Sequence, residues 1–151
     1  MKRLAPAQPC PCGAKAVATG GGAKPAAKKA APWAYGQCCG RWLEADPQNG
    51  PFAPDAQQLM RSRYTAFVLE RGVYLLATWQ ASQRPAQIEF DPGAKWLGLE
   101  VRDYRLTSAD SAEVEFVARQ KPVSGPATRL HERSRFVLER GCWLYLGVAL
   151  F

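Results

Sequence analysis

The chain has 151 residues, 47% of them hydrophobic, with 20 Lys/Arg against 13 Asp/Glu and a net charge of +7. That length fits one domain with an appendage and buries about 68–70% of its extended surface, enough for an ordinary hydrophobic core. No run approaches the ~20 apolar residues that span a bilayer, and the opening MKRLAPAQPC lacks the apolar segment of a secretory signal, so a cytoplasmic protein without membrane insertion is expected.

Four of the five cysteines fall within the first 39 residues, as Cys10-Pro11-Cys12-Gly13 and Cys38-Cys39-Gly40. Clustered cysteines point to a metal site rather than a disulfide framework. Zinc prefers four soft thiolates in a tetrahedron. A Cys-x-Cys pair on a tight turn can place both sulfurs on one ion, with Gly13 letting the backbone fold back. Cys38 and Cys39 can supply the other two if the chain reverses there, with Gly40 relieving strain. The alternative is four unrelated reduced thiols, or disulfides formed on air exposure. The 25 residues between Cys12 and Cys38 do not defeat the site. Lengthening a loop from about 7 to 25 residues costs only ~1 kcal/mol, against roughly 10–16 kcal/mol for structural zinc.

Residues 14–34 are rich in Gly, Ala and Lys and read as a flexible insert. The first 49 residues carry seven Lys/Arg against two acids, so most of the net charge sits there. Residues 1–49 are therefore expected to form a zinc knuckle with an insert, and residues 50–151 an α+β domain. Pro54 and Asp55 start a helix whose apolar face holds Met60, Tyr64, Phe67 and Val68. Gly72 is expected to end it, with a second helix over Val73–Trp79. Ser82–Pro92 is irregular.

From Trp96 the pattern has period two: Leu97, Leu99 and Val101 alternate with Gly98, Glu100 and Arg102. A turn at 108–112 leads to a second strand through Val114, Phe116 and Ala118. A turn at 123–127 leads to a third over Leu130–Glu139, and Arg140-Gly141 to a fourth over Cys142–Leu150. Helices followed by four sequential antiparallel strands define an α+β layout with the helices on one sheet face. Cys142, beside Trp143, reads as a buried free thiol.

CPCG followed by Y-x-x-CCG resembles the SEC-C zinc motif, best known at the C-terminal tail of the translocation motor SecA. LMRSRYTAF (59–67), YLLATW (74–79), WLGL (96–99) and HERSRF (131–136) closely resemble the YchJ-type bacterial proteins. The resemblance implies a fold like nuclear transport factor 2 and cystatin, a bent four-stranded antiparallel sheet wrapped around helices. It also implies Zn2+ on Cys10, Cys12, Cys38 and Cys39, and a partner-docking knuckle like the SecA tail, which engages the chaperone SecB and the ribosome. The spacing between the two cysteine pairs is much longer here than in relatives.

The polar residues singled out as a pocket or structural cluster are Arg61, Arg63 and Tyr64 on the first helix, with His131, Glu132, Arg133 and Arg135 on the third strand. Strand alternation puts His131, Arg133 and Arg135 on one face and Glu132, Ser134 and Phe136 on the other. One of Arg61 or Arg63 is expected to pair with Glu132 between helix and sheet. No phosphate loop, nucleophile elbow or dinucleotide fingerprint is present, so no catalytic residue is assigned. Three functions are consistent with this pattern. One is a protein-interaction or adaptor module built on the zinc knuckle. Another is a ribosome- or RNA-associated protein using Lys15, Lys24, Lys28 and Lys29, although the insert carries only one aromatic, Trp33, for stacking. The third is a small-molecule binder or enzyme using the interior of the cone.

Overall fold

The computed structural model describes residues 2–15 and 31–149. Most of the 14–34 insert, with Lys24, Lys28 and Lys29, lies outside the described residues. A 3-10 turn, Tyr35–Gln37, leads into the short helix α1 (Gly40–Leu43), followed by α2 (Ala56–Val68) and α3 (Gly72–Ala77). Strands β1 (Lys95–Ser108), β2 (Ser111–Lys121), β3 (Thr128–Glu139) and β4 (Cys142–Val148) form one antiparallel sheet in the order of the sequence.

Helix α2 begins where Asp55 caps it, its carboxylate Oδ1 accepting from Gln58 N–H at 2.7 Å. Such a cap satisfies one of the orphan donors of the first turn. The helix stops at Val68, before the expected Gly72. Glu70 takes the left-handed conformation (φ 56) and Arg71 N–H reaches back to Ala66 O at 2.8 Å. Gly72 instead opens α3, against the side of Phe90. The segment expected to be irregular, 82–92, contains no helix or strand.

The sheet folds over α2 with an inner face of Ala112, Val114, Phe116 and Ala118 from β2, Ser134 and Phe136 from β3, and Trp143 from β4, all buried. In β1 the plain alternation fails. A register shift between Trp96 and Gly98 lets Gly98 adopt φ 149, turns Leu97 out at 54% exposure and leaves Trp96 packed against the core with Leu99 and Val101. A bulge adds one residue to a strand and bends it. Two further shifts in β1 and one between β3 and β4 continue the bend around the helices. The chain after α3 extends the far edge: Gln80 N–H donates to Tyr145 O, and Tyr145 N–H to Thr78 O, each at 2.8 Å. Cys142, expected to be buried, is half-exposed, because it opens β4 directly after the turn at Arg140-Gly141. No helix among the described residues is long and apolar enough to cross a membrane.

Candidate metal centre and the polar groups of the sheet

The two halves of the knuckle are brought together by backbone pairing. Cys10 N–H donates to Trp33 O (2.9 Å), Tyr35 N–H to Gln8 O (2.7 Å), and Trp33 N–H to Ala14 O (2.9 Å). Residues 8–15 and 32–35 thus close the base of the long insert. Cys10-Pro11-Cys12-Gly13 turns tightly, with Gly13 at φ 73 donating to Cys10 O. A residue with a Cβ is strained in that conformation. Gly40 has a different reason. A Cβ there would stand 2.6 Å from the Tyr35 carbonyl oxygen and 3.0 Å from its ring, so close approach rather than backbone strain requires glycine.

The outcome is a cluster of four buried thiols, Cys10, Cys12, Cys38 and Cys39, whose sulfurs all lie within 4.8 Å of one another. Cys12 Sγ is 3.6 Å from Cys38 Sγ. Four thiolates around one zinc at about 2.3 Å would sit about 3.8 Å apart, so the donor set fits a tetrahedral metal. Cys142 is not in the cluster. Hydrogen bonds from Cys12, Cys38 and Cys39 hold the Cys10 thiol far below its ordinary range. Contacts with Cys10, Cys12 and Cys38, together with burial, push Cys39 well above it. One buried thiolate is stabilised by its neighbours, and each further one meets its repulsion. A divalent cation removes that conflict, because a coordinated thiol gives up its proton.

The knuckle packs directly on α2. Cys10, Cys12, Cys38 and Cys39 belong to the same buried cluster as Leu59, Met60 and Tyr64. Cys10 Sγ lies 3.9 Å from Thr65 Oγ1. Arg61 donates from Nη1 to Cys12 O at 3.0 Å, and Arg41 from Nε to Cys38 O at 2.9 Å. Both arginines therefore fix the backbone of residues in the thiol cluster. Beside them runs a groove lined by Lys15, Trp33, Arg41, Trp42 and Arg61, with no carboxylate among the described residues of its walls. Trp42 is a contributor that sequence reasoning passed over, although it follows CCG by only two residues; Arg41 stacks over its ring at 4.5 Å.

The seven polar candidates do not form one cluster. Arg61 serves the knuckle. His131, Arg133 and Arg135 lie on the outer face of β3, as the alternation predicts. His131 Nε2 is 2.7 Å from Glu115 Oε2, and Arg133 bridges Asp103 (2.6 Å), Glu113 (3.3 Å) and Glu115 (3.3 Å) across the sheet. Arg63, Tyr64 and Glu132 face inward onto one cavity. The expected Arg–Glu132 pair does not form. The buried Arg63 donates from Nη1 to Leu75 O (2.8 Å) and Thr78 Oγ1 (2.7 Å), because α3 ends there with carbonyls in need of donors. Glu132 accepts from Ser134 Oγ at 2.6 Å instead. Burial pulls Arg63 down to about 10, partly offset by Tyr145, Tyr74 and Glu132.

Fold and site together define an α+β protein of the nuclear transport factor 2 type joined to a four-cysteine knuckle. Residues 55–147 match the family described as the YchJ middle NTF2-like domain. The chain is 59% identical over 143 residues to a UPF0225 protein of Polaromonas sp. (strain JS666 / ATCC BAA-500), covering 95% of this chain and 94% of that one. It is 43% identical to a UPF0225 protein of Xanthomonas campestris pv. campestris, covering 97% and 98%. The fold is similar to the solution structure of a SEC-C motif containing protein from Rhodopseudomonas palustris, with TM-score 0.66, 30% identity, and coverage of 79% of this chain and 93% of that one. It is also similar to the crystal structure of a SEC-C motif containing protein from Psychrobacter arcticus, with TM-score 0.70, 28% identity, and coverage of 97% and 85%. The chain belongs to the YchJ family.

Proposed function

We propose that Cys10, Cys12, Cys38 and Cys39 bind Zn2+ as a structural site, and that the knuckle serves as a protein-docking module in the cytoplasm. The carrying observation is the set of four buried thiols within 4.8 Å of one another. With every ligand position taken by cysteine, the ion has no open position for substrate or water, which is the mark of a structural rather than a catalytic zinc. The docking reading is supported by the adjoining groove, where Lys15, Arg41 and Arg61 stand beside Trp33 and Trp42. An aromatic-and-arginine surface with uncompensated positive charge suits an acidic protein segment.

The test is partner capture with the intact zinc-loaded protein and with a Lys15→Glu variant, which changes neither a cysteine nor the two arginines bonded to the cysteine carbonyls. A partner lost on charge reversal supports docking through this face; identical partner lists remove it. The same groove favours a second reading, ribosome or RNA association, because aromatic rings interleaved with cations also stack and neutralise single-stranded RNA. That reading requires affinity falling steeply with salt and capture abolished by ribonuclease.

A further inference from the structure

The inner face of the sheet encloses a cavity of about 270 Å³ between α2 and strands β1 to β4. Its walls are mostly aromatic, with Phe67, Trp96, Phe116 and Phe136 among them. Protein cores are packed to crystal density, with few voids larger than a water molecule. An engineered apolar cavity of about 150 Å³ already admits benzene; the space here holds a bicyclic ring. Leu130 lines it and is 47% exposed, which gives the cavity contact with solvent at the β3 side.

The polar groups of the cavity are few and of both signs. Arg63 is 6% exposed and, among the described residues, donates to the neutral acceptors Leu75 O and Thr78 Oγ1. Its guanidinium stacks 5.1 Å from the ring of Trp79 and 4.6 Å from that of Tyr145, both of which also line the cavity. Trp79 has its indole Nε1 buried with no hydrogen-bond partner among the described residues. Buried donors of this kind are normally satisfied, and exceptions call for an explanation. Glu132 lines the same space and has one oxygen, Oε2, occupied by Ser134. No ion pair joins it to Arg63 among the described residues, and it acts on the guanidinium only at longer range.

This arrangement discriminates among head groups. A carboxylate ligand would satisfy Arg63 but meet the negative charge of Glu132. An ammonium would satisfy Glu132 but meet Arg63. A neutral head that presents an acceptor and a donor side by side meets both. We propose that the cavity is a binding site for a small planar aromatic molecule carrying a carboxamide or cyclic-amide head, with its carbonyl toward Arg63 and its N–H toward Glu132. None of the four clustered cysteines lines this cavity, so the proposal does not rest on the metal.

The experiment uses the 15N-labelled, zinc-loaded full chain with two probes of matched shape, indole-3-carboxamide and indole-3-carboxylate, read on the indole N–H signals of Trp79 and Trp96. The carboxamide shifts both signals, and the carboxylate binds at least about tenfold more weakly, the equivalent of one repelled charge. In Glu132→Gln the carboxylate gains affinity and the order of the two probes narrows or reverses. Leu130→Trp, a change at an exposed lining position, abolishes the shifts with either probe while leaving the rest of the spectrum folded. Failure of both probes to move the two indole signals overturns the proposal. So does unchanged binding in Leu130→Trp, or equal affinity for the two probes unaltered by Glu132→Gln.

Discussion

Arg61 donates a hydrogen bond of 3.0 Å to the carbonyl of Cys12, 49 residues before it in the chain. The contact joins the middle of α2 to the first cysteine pair and makes the position of that pair depend on the folded domain. Outer groups that orient metal ligands typically change metal affinity 10–100-fold when removed. Arg61→Ala is expected to weaken zinc retention by about that factor in a chelator competition, while the four cysteines remain intact. Unaltered retention would show that the two units are coupled by apolar packing alone.

Gly40→Ala places a methyl group 2.6 Å from the Tyr35 carbonyl oxygen. The neighbour is backbone held by the 3-10 turn, so it cannot swing away. Overpacking of this kind costs about 1–3 kcal/mol, and thermal unfolding should fall by several degrees. The same change at Gly72, where the nearest atoms are a Phe90 ring at 3.6 Å, creates no such clash and serves as the control.

Glu44 accepts from Tyr35 Oη and pairs with Arg71 at 2.8 Å. Arg71 holds its carboxyl below the ordinary value of 4.5. A carboxylate whose folded value lies below the unfolded one contributes stability above the unfolded value and loses it as pH falls through the folded one. Glu44→Gln should therefore be less stable than the parent at neutral pH, and the two denaturation curves should converge below about pH 4. The four cysteines are the same in both proteins, so any acid effect on them drops out of the comparison.

Tyr74 Oη and Ser62 Oγ lie 2.5 Å apart in the buried contact between α3 and α2. Ser62 also donates to Leu59 O at 2.7 Å, so Tyr74→Phe leaves it with one partner. The expected cost is about 1 kcal/mol in chemical denaturation, with no change in metal content.

The insert offers a test of a different kind. Trp33 N–H bonds to Ala14 O, and Lys15 and Pro32 form an isolated bridge, so the ends of the long stretch are held together without it. Replacing residues 16–30 by a short turn should change stability by less than about 1 kcal/mol, since closure entropy grows only with the logarithm of length. Full zinc occupancy in the shortened chain is the expected outcome.

Much of this architecture is legible in the sequence. The spacing of Met60, Tyr64 and Phe67 marks α2, and the alternation through Glu132, Ser134 and Phe136 assigns the faces of β3. Where the reading departs from the structure, the cause lies in contacts distant along the chain. Leu97 turns outward because a bulge at Gly98 resets the pleat, and a period-two pattern carries no sign of an inserted residue. Glu70, not a glycine, takes the left-handed turn after α2. The partner of Arg63 depends on α3 ending beside α2, which no local spacing records. The paired cysteines, each followed by glycine, mark the thiol cluster, but their packing against Thr65 and Arg61 emerges only in three dimensions.

The central claim is that the four thiols act together on one zinc ion, and the most direct measurement is metal content of protein purified under reducing conditions, followed by the spectrum after replacement with Co2+. The account predicts one equivalent of zinc per chain, an absorption pattern of tetrahedral thiolate coordination for the cobalt form, and loss of both in Cys38→Ser/Cys39→Ser. Protein that is folded yet contains no stoichiometric metal, or a cobalt spectrum of oxygen and nitrogen ligands, would contradict it.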